Sequence, residues 1–540
     1  MRRHTRVAAA VLAAALIATA CGGDDDGSTE TTSGNRIDRT ETTASPETTG
    51  AASDATTAAP SQIAGGDTAV RRDEDLSVPA TTTSVPDARF EDYGANPFED
   101  PIENALSTFA VDVDTGSYTL MRAWIRDGRL PDPDSVRVEE YVNYFDGGFA
   151  SPDDSTFAVY ADGGPTPFWD SRNDILRIGI KAREVPERRR QDVNLTLVVD
   201  VSGSMKEQGK LRMVQDALEV LIDELDRFDT VAIVAYNTDA RVVLEPTEVD
   251  DRGEIKEAID RLSAGGSTNA EAGLLLGYQL ADESFSRDGV NRVILLSDGV
   301  ANVGNTGPES ILDEIGDQAR RGIDLVTIGV GISTYNDVLL EQLADQGDGW
   351  YAYVDTTDEA ERLFRDQLTT SLETVARDVK VQVEFDPDLV EEYRLIGFEN
   401  RGLDDEDFRD DSVDAGDINA GHSVTALYEV ALTRDAYRTD EGFATVRLRW
   451  TDAESGRVEE IAGDVSSTLL ADRFVESSAE FQLVSAVAAY AEVLRESRWV
   501  RGLDLDEVLE EVEDLPWREI DDEAAEEFAE LLEAAVRLDR

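Results

Sequence analysis

From residue 194 the chain alternates short apolar runs with amphipathic stretches, and that alternation leaves few folds open to it. Residues 195–199, 231–236, 293–296 and 325–330 are apolar runs of strand length. Between them, 211–225, 255–262, 270–280 and 311–319 carry apolar residues at helical spacing. Strand–helix units in succession predict an α/β fold: a doubly wound, mostly parallel sheet covered by helices on both faces. Ligands of such sheets bind in the crevice beyond the carboxyl ends of the strands. Asp200 stands at the end of the first run and Asp298 at the end of the third.

The turn after the first strand, Asp200-Val201-Ser202-Gly203-Ser204, gathers one carboxylate and two hydroxyls. Such a group suits a hard cation, because magnesium takes a compact octahedron of oxygens and surrenders its waters reluctantly. Thr268, in Gly265-Gly266-Ser267-Thr268-Asn269, and Asp298, in Ser297-Asp298-Gly299, supply further oxygens from two more loops. Alone, the first turn reads equally well as a helix N-cap. The Thr and the second Asp, in order at later strand ends, favour a metal centre.

This set, D-x-S-x-S with a later Thr and a later Asp-Gly, resembles the metal-ion-dependent adhesion site of von Willebrand factor type A domains, over residues 191–372. The resemblance implies that Asp200, Ser202, Ser204 and Thr268 hold the ion directly or through water, and that Asp298 acts through water. It implies magnesium, with manganese or calcium as alternatives, and an open coordination position for a carboxylate offered by a protein or peptide partner. The implied activity is binding, not catalysis.

Residues 1–20 carry Arg2, Arg3 and Arg6, then an apolar stretch too short to span a membrane, which reads as a secretory signal. The stretch ends at Cys21, the one cysteine in the chain. Ala18-Thr19-Ala20-Cys21 resembles a bacterial lipobox, with Ala18 where Leu is usual. A lipid on Cys21 would hold the protein on the extracytoplasmic face of the membrane; cleavage at 18–20 as a simple signal would release it instead. Residues 21–92 are Thr, Ser, Ala, Gly and acid with almost no large apolar residue, so they read as a disordered tether. About 65 such residues reach about 45 Å.

Composition removes several chemistries. Beyond the signal, His422 is the single histidine, so Cys/His zinc sites, disulfides and Cys–His catalysis are excluded. His422, in Gly421-His422-Ser423, reads as a loop residue. Fifty basic against 115 acidic side chains give a net charge of -65, which repels nucleic acid and anionic membrane. The membrane is therefore expected as a partner only through the lipid. Arg188-Arg189-Arg190 reads as a loop, and the acids of 507–513 and 523–533 as solvated helix faces.

The segments around the central domain resemble those of YfbK-like bacterial lipoproteins: Val111-Asp112-Val113-Asp114-Thr115-Gly116-Ser117-Tyr118 and 137–145 before it, and an extension after it. They divide into a partly β region at 93–190, a β-rich extension at 373–465 and helices at 466–540. Alternating residues at 156–161 and 175–182, with strands at 379–385, 424–432 and 444–450, predict one antiparallel platform into which the central domain is inserted. Ser477-x-x-Glu480 reads as a capping box before a helix whose stripe is Phe481, Val484, Val487, Ala488, Ala491 and Leu494.

Two other functional classes stay in view. Phe109-Ala110-Val111-Asp112-Val113-Asp114-Thr115 mimics the D-x-D-x-T of haloacid-dehalogenase phosphatases, although irregular, β-rich sequence follows; otherwise Asp114-Thr115-Gly116 is a turn at a strand end. A carboxylate-pair hydrolase has no singled-out pair, and the Gly203 to Lys210 stretch lacks the hydroxyl a phosphate loop needs. The third class is a metal-stabilised envelope scaffold.

Overall fold

The computed structural model describes residues 11–12, 90, 92–111, 114–169, 172–186, 190–287, 289–299, 308–331, 337–368, 373–413, 415–520 and 523–540. Cys21, Asp112, Arg188 and Arg189 lie outside the described residues. Among those described, no helix is long and apolar enough to cross a membrane.

The amino-terminal flank contributes β1 (Leu106–Ala110), α1 (Gly116–Arg126), α2 (Val138–Asn143), β2 (Phe157–Pro165) and β3 (Asp174–Ala182). Val11 and Leu12 pair with Tyr160 and Val159 at the edge of β2. The turn expected at Asp114-Thr115-Gly116 needs its glycine for a different reason than a positive φ. Gly116 opens α1 against Tyr351, where an added Cβ would lie 2.1 Å from the ring. Asp114 accepts the backbone N–H of Tyr351 at 2.9 Å, so its carboxylate docks the helix onto the central domain.

The central domain runs β4 (Val193–Asp200), α3 (Lys210–Glu224), β5 (Thr230–Tyr236), β6 (Ala240–Glu248), α4 (Arg252–Asp260), α5 (Ala270–Glu283), β7 (Val290–Ser297), α6 (Pro308–Ala319), β8 (Asp324–Val330), α7 (Asp337–Gln346), β9 (Tyr351–Val354) and α8 (Thr357–Arg362). Its sheet is ordered β9-β8-β7-β4-β5-β6, parallel except for β6. Both faces are buried: Leu195, Leu197 and Val199 face one core and Val198, Val293 and Leu295 the other. Continuous apolar runs are what a sheet covered on both sides requires.

After the domain come β10 (Thr374–Phe385), β11 (Val390–Ile396), β12 (Gly416–Asn419), β13 (Ser423–Leu432), β14 (Gly442–Asp452), β15 (Val458–Ser466), α9 (Ala479–Leu494), α10 (Leu505–Glu513) and α11 (Glu523–Asp539). The flanking strands do pair across the inserted domain, with Ile178 of β3 opposite Ala426 of β13. They form two sheets, however, where a single platform was expected. One is β2-β3-β13-β11; the other is β12-β10-β14-β15, with β1 also paired to β10. Their apolar faces share one core containing Ile178, Ile180, Tyr428, Val381, Val383 and Leu448. An alternating strand has one face to bury, and a second sheet supplies the cover that one platform lacks.

The carboxyl-terminal helix also departs from expectation. Ser478, not Ser477, caps α9, accepting the Phe481 N–H at 3.2 Å, while Ser477 donates to the Phe474 carbonyl. No single stripe faces inward: Ala486, Ala489 and Tyr490 are as buried as the predicted positions, because α9 is enclosed with α1, α2, α10 and α11 in one core. Nor is the acidic face of α11 wholly solvated, since Glu527 pairs with Arg122 and Arg126.

Candidate metal centre

Three loops meet at the carboxyl ends of β4 and β7. Asp200, the last residue of β4, is fully buried, and its Oδ1 accepts the Ser202 backbone N–H at 2.7 Å. That bond folds the chain back on itself directly after the strand. Neither the 3-10 turn Ser204–Gly209 nor α3 has a side-chain cap, so these residues do not act as the N-cap that the turn alone also suggested. Ser202 and Ser204 share a hydrogen bond of 3.0 Å between their hydroxyls, and Ser204 Oγ donates to Asp298 Oδ1 at 2.9 Å. Asp200, Ser202, Ser204 and Asp298 thus form one connected polar group, closed by the Ser204–Asp298 bond between residues 94 apart in the chain.

The third loop is tied on by backbone. Gly265 N–H donates to Val201 O at 2.7 Å and Gly203 N–H to Gly266 O at 3.0 Å. Gly266 has φ 97, and a Cβ there would come within 3.0 Å of Thr238 Oγ1 and 3.2 Å of Asn237 Cγ, so this position requires glycine. Asn269 caps α5 through the Ala272 N–H at 3.2 Å. Thr268 sits between the tied loop and the cap, half-buried, and its hydroxyl has no hydrogen bond to a described residue.

Two side chains named above only as neighbours of the motifs, Ser297 and Lys210, complete the surroundings. Ser297 Oγ donates to Asp200 Oδ2 at 3.1 Å, fixing the carboxylate from the opposite side. Lys210, 2% exposed at the start of α3, places Nζ 3.0 Å from Asp298 Oδ2. A hydroxyl next to the second Asp was a visible signal for Ser297; Lys210 gave none, because its partner lies 88 residues away.

Burial pushes the Asp200 carboxyl up from 3.8 to about 6, against the hydrogen bonds from Ser202 and with a further push from the Asp298 charge. Below it, the buried Tyr236 hydroxyl is raised well above its ordinary value by desolvation, with Asp200 adding to the effect. Asp200 is therefore an under-compensated buried negative charge, beside hydroxyls that bond to one another and to the two carboxylates. Oxygen donors of this kind, two carboxylates and three hydroxyls, fit a divalent hard cation. Among the described residues, no group of three or more His, Cys, Asp or Glu is arranged to hold a metal, so a cation here would depend on the hydroxyls.

Asp114, the described half of the D-x-D-x-T motif, has its oxygens committed to Tyr351 and, at 3.4 Å, to Arg401. It serves as a buried structural acceptor. His422 lies in the turn before β13; burial, with Lys181 and Arg292 nearby, lowers it to about 4.

Comparison with known proteins agrees with this architecture. Residues 194–366 match the von Willebrand factor type A domain, residues 84–177 a model described as von Willebrand factor, and residues 370–538 the model of uncharacterized protein YfbK, C-terminal. Uncharacterized protein YfbK of Escherichia coli (strain K12) is 37% identical over 439 residues, covering 77% of this chain and 75% of that protein. Inter-alpha-trypsin inhibitor heavy chain H4 of Homo sapiens is 29% identical over 159 residues, 28% of this chain and 17% of that one. Among solved structures, von Willebrand factor type A from Catenulispora acidiphila matches at a TM-score of 0.39 and 20% identity, over 64% of this chain and 80% of that chain. From the identity and coverage shared with the Escherichia coli protein, and from the match at its carboxyl-terminal region, the chain belongs to the YfbK family and carries a von Willebrand factor type A domain.

Proposed function

We propose that the central domain binds a protein or peptide ligand through a divalent cation, with magnesium the first choice and manganese or calcium possible. The observation that carries this reading is the connected group of Asp200, Ser202, Ser204 and Asp298 at the strand ends, with Thr268, whose hydroxyl has no hydrogen bond to a described residue, on a loop tied to the same turn. Ser202, Ser204 and Thr268 would hold the ion, and Asp200 and Asp298 would balance its charge. A bound cation supplies a Lewis-acid position that a partner's Asp or Glu carboxylate can fill.

The chain's own residues do the rest. Ser297 and the Ser202 N–H orient the Asp200 carboxylate, and burial keeps water from solvating it, so its charge is available to an ion. The side chains involved are held by backbone bonds between loops, which limits rearrangement on binding. In the same proposal, a lipid on Cys21 holds the domain outside the cell membrane on the 21–92 tether, where such a partner would be met. Binding by the chain with its tether, without catalysis, is the activity proposed.

The test is calorimetric titration of the full chain with magnesium, manganese and calcium, followed by screening of Asp- and Glu-bearing peptides with cation or chelator. Cation binding lost in Asp200→Ala and Ser204→Ala, and peptide capture that needs the cation, is the expected result. Peptide capture unaffected by chelator would sink the metal-bridge mechanism, and absence of cation binding would sink the centre itself.

A further inference from the structure

Lys210 is buried in a place where a lysine needs a reason. Its side chain is 2% exposed and its ammonium lies 3.0 Å from Asp298 Oδ2, while Asp298 Oδ1 accepts from Ser204. The two oxygens of Asp298 thus have separate partners: one hydroxyl of the candidate metal group and one fixed cation. The stem of Lys210 is threaded past Gly331, where an added Cβ would come within 2.4 Å of Lys210 Cε. Gly209, at φ 78, turns the chain so that α3 begins with this lysine.

We infer that Lys210 is a specificity-determining residue of the metal centre, a built-in cation that weakens the resting hold on the metal and strengthens the pull of the loaded centre on an anion. The inference rests on the metal-bridge reading above. Asp200 and Asp298 contribute two negative charges and Lys210 one positive, which leaves the site at minus one. A divalent cation then takes it to plus one. The loaded centre attracts a carboxylate and is neutralised by it. Without Lys210 the same ion would bring the site to zero, and an arriving carboxylate would meet no net charge. Lys210 also compensates Asp298 before any cation arrives, so the loop keeps its geometry in the metal-free protein.

Lys210→Gln keeps a donor toward Asp298 and removes the charge; Lys210→Met removes both. In full-length protein, magnesium affinity measured by calorimetry should rise about tenfold or more in Lys210→Gln, since a unit positive charge close to a divalent ion has gone. The variant should melt below wild type in chelator and recover more on adding magnesium. Acetate, titrated as the probe into magnesium-saturated protein, should bind more weakly than to wild type. A merely structural lysine would lower the melting temperature equally with and without magnesium and leave magnesium affinity unchanged, and that result overturns the inference while wild type still binds the ion. Absence of magnesium binding in wild type overturns the metal-bridge reading and this inference together. If Lys210→Gln folds only when magnesium is present, the metal has replaced the missing cation, which supports the inference; if it folds in neither condition, Lys210 is structural and the inference fails.

Discussion

Asp200→Asn separates the electrostatics of the centre from its fold. Asn is nearly isosteric, its oxygen can still accept the Ser202 N–H, and its amide can donate to Ser297, so the turn should survive. What disappears is a buried charge. The folded carboxyl is raised from 3.8 to about 6, chiefly by desolvation, so at neutral pH the metal-free wild type carries an ionised group that folding disfavours. Two pKa units correspond to about 3 kcal/mol. A raised carboxyl means that the folded state binds more protons than the unfolded one between pH 4 and 6. Its penalty is full above the folded value, shrinks as pH falls through about 6, and is gone below the unfolded value. Denaturant unfolding in chelator should therefore show Asp200→Asn more stable than wild type by up to about 3 kcal/mol at pH 7.5, with the gap closing toward pH 4. Taking the difference between two proteins cancels the other acids, which matters in a chain of net charge -65. Adding magnesium should reverse the order, because only wild type gains from the ion. If Asp200→Asn is the less stable protein in chelator at pH 7.5, the charge of Asp200 is already compensated in the metal-free fold and the reasoning fails.

Other outcomes follow from the same accounting of buried charge and backbone. Glu492, fully buried between Arg394 at 3.1 Å and Arg495 at 2.9 Å, is lowered from 4.5 to about 2 despite its desolvation. A depressed carboxyl stabilises above its unfolded value and loses that contribution as pH falls through the folded one. Glu492→Gln should thus cost about 3 kcal/mol in urea unfolding at pH 7 and progressively less below pH 4.5; a cost independent of pH would mean packing, not charge. Arg122→Met replaces the buried guanidinium that bonds Asp355 at 2.6 Å and Glu359 at 2.9 Å by an apolar chain, leaving Asp355 to Arg126 and Glu359 to Arg362 and Tyr144, and should lower stability by about 3 kcal/mol, read from the denaturant midpoint. Gly266→Ala forces a side chain into a left-handed residue against Thr238, so a loss of about 1–2 kcal/mol in chelator and a smaller magnesium-induced rise in melting temperature are expected. An unchanged magnesium response would detach Thr268 from the centre.

The sheet of the central domain was legible because its two periods contrast: apolar runs buried on both faces against helices with one apolar stripe. β6 was not, since Ala240–Glu248 is an antiparallel edge strand of mixed polarity containing Pro246. β9 is only four residues long, too short to show any period. Asp200, Ser202, Ser204 and Asp298 could be found because the motif and the strand ends coincide, and the structure hydrogen-bonds them into one group. The two-sheet arrangement of the flanks was hidden by non-local pairing, because a strand records which face it buries and not which sheet covers that face. Lys210 was hidden for a similar reason: nothing in the sequence places its ammonium beside Asp298, 88 residues further along.

The flanks and the candidate centre divide the central domain between them. At the amino end of β8, Asp324 faces Arg377 of β10 at 3.8 Å. On α7, Glu341 meets Arg137 at 2.6 Å and Asn400 at 3.1 Å, and Asp345 meets Arg401 at 3.1 Å. Beyond β9, Asp355 and Glu359 are held by Arg122 of α1. By contrast, among the described residues the hydrogen bonds of Asp200, Ser202, Ser204 and Asp298 run to residues within the domain. Under the proposed function, a ligand attached at the carboxyl ends of β4 and β7 would draw on strands whose sheet is gripped at its other end and at its β9 edge. The ladder between β4 and β7, paired from Val193–Val290 to Val199–Leu296, would then carry that load along the strand direction, spread over many hydrogen bonds at once. The pairs of Arg122 with Asp355 and Glu359 and of Arg137 with Glu341 are buried on both sides, and removing one partner of such a pair is costly, which suits them to holding the domain.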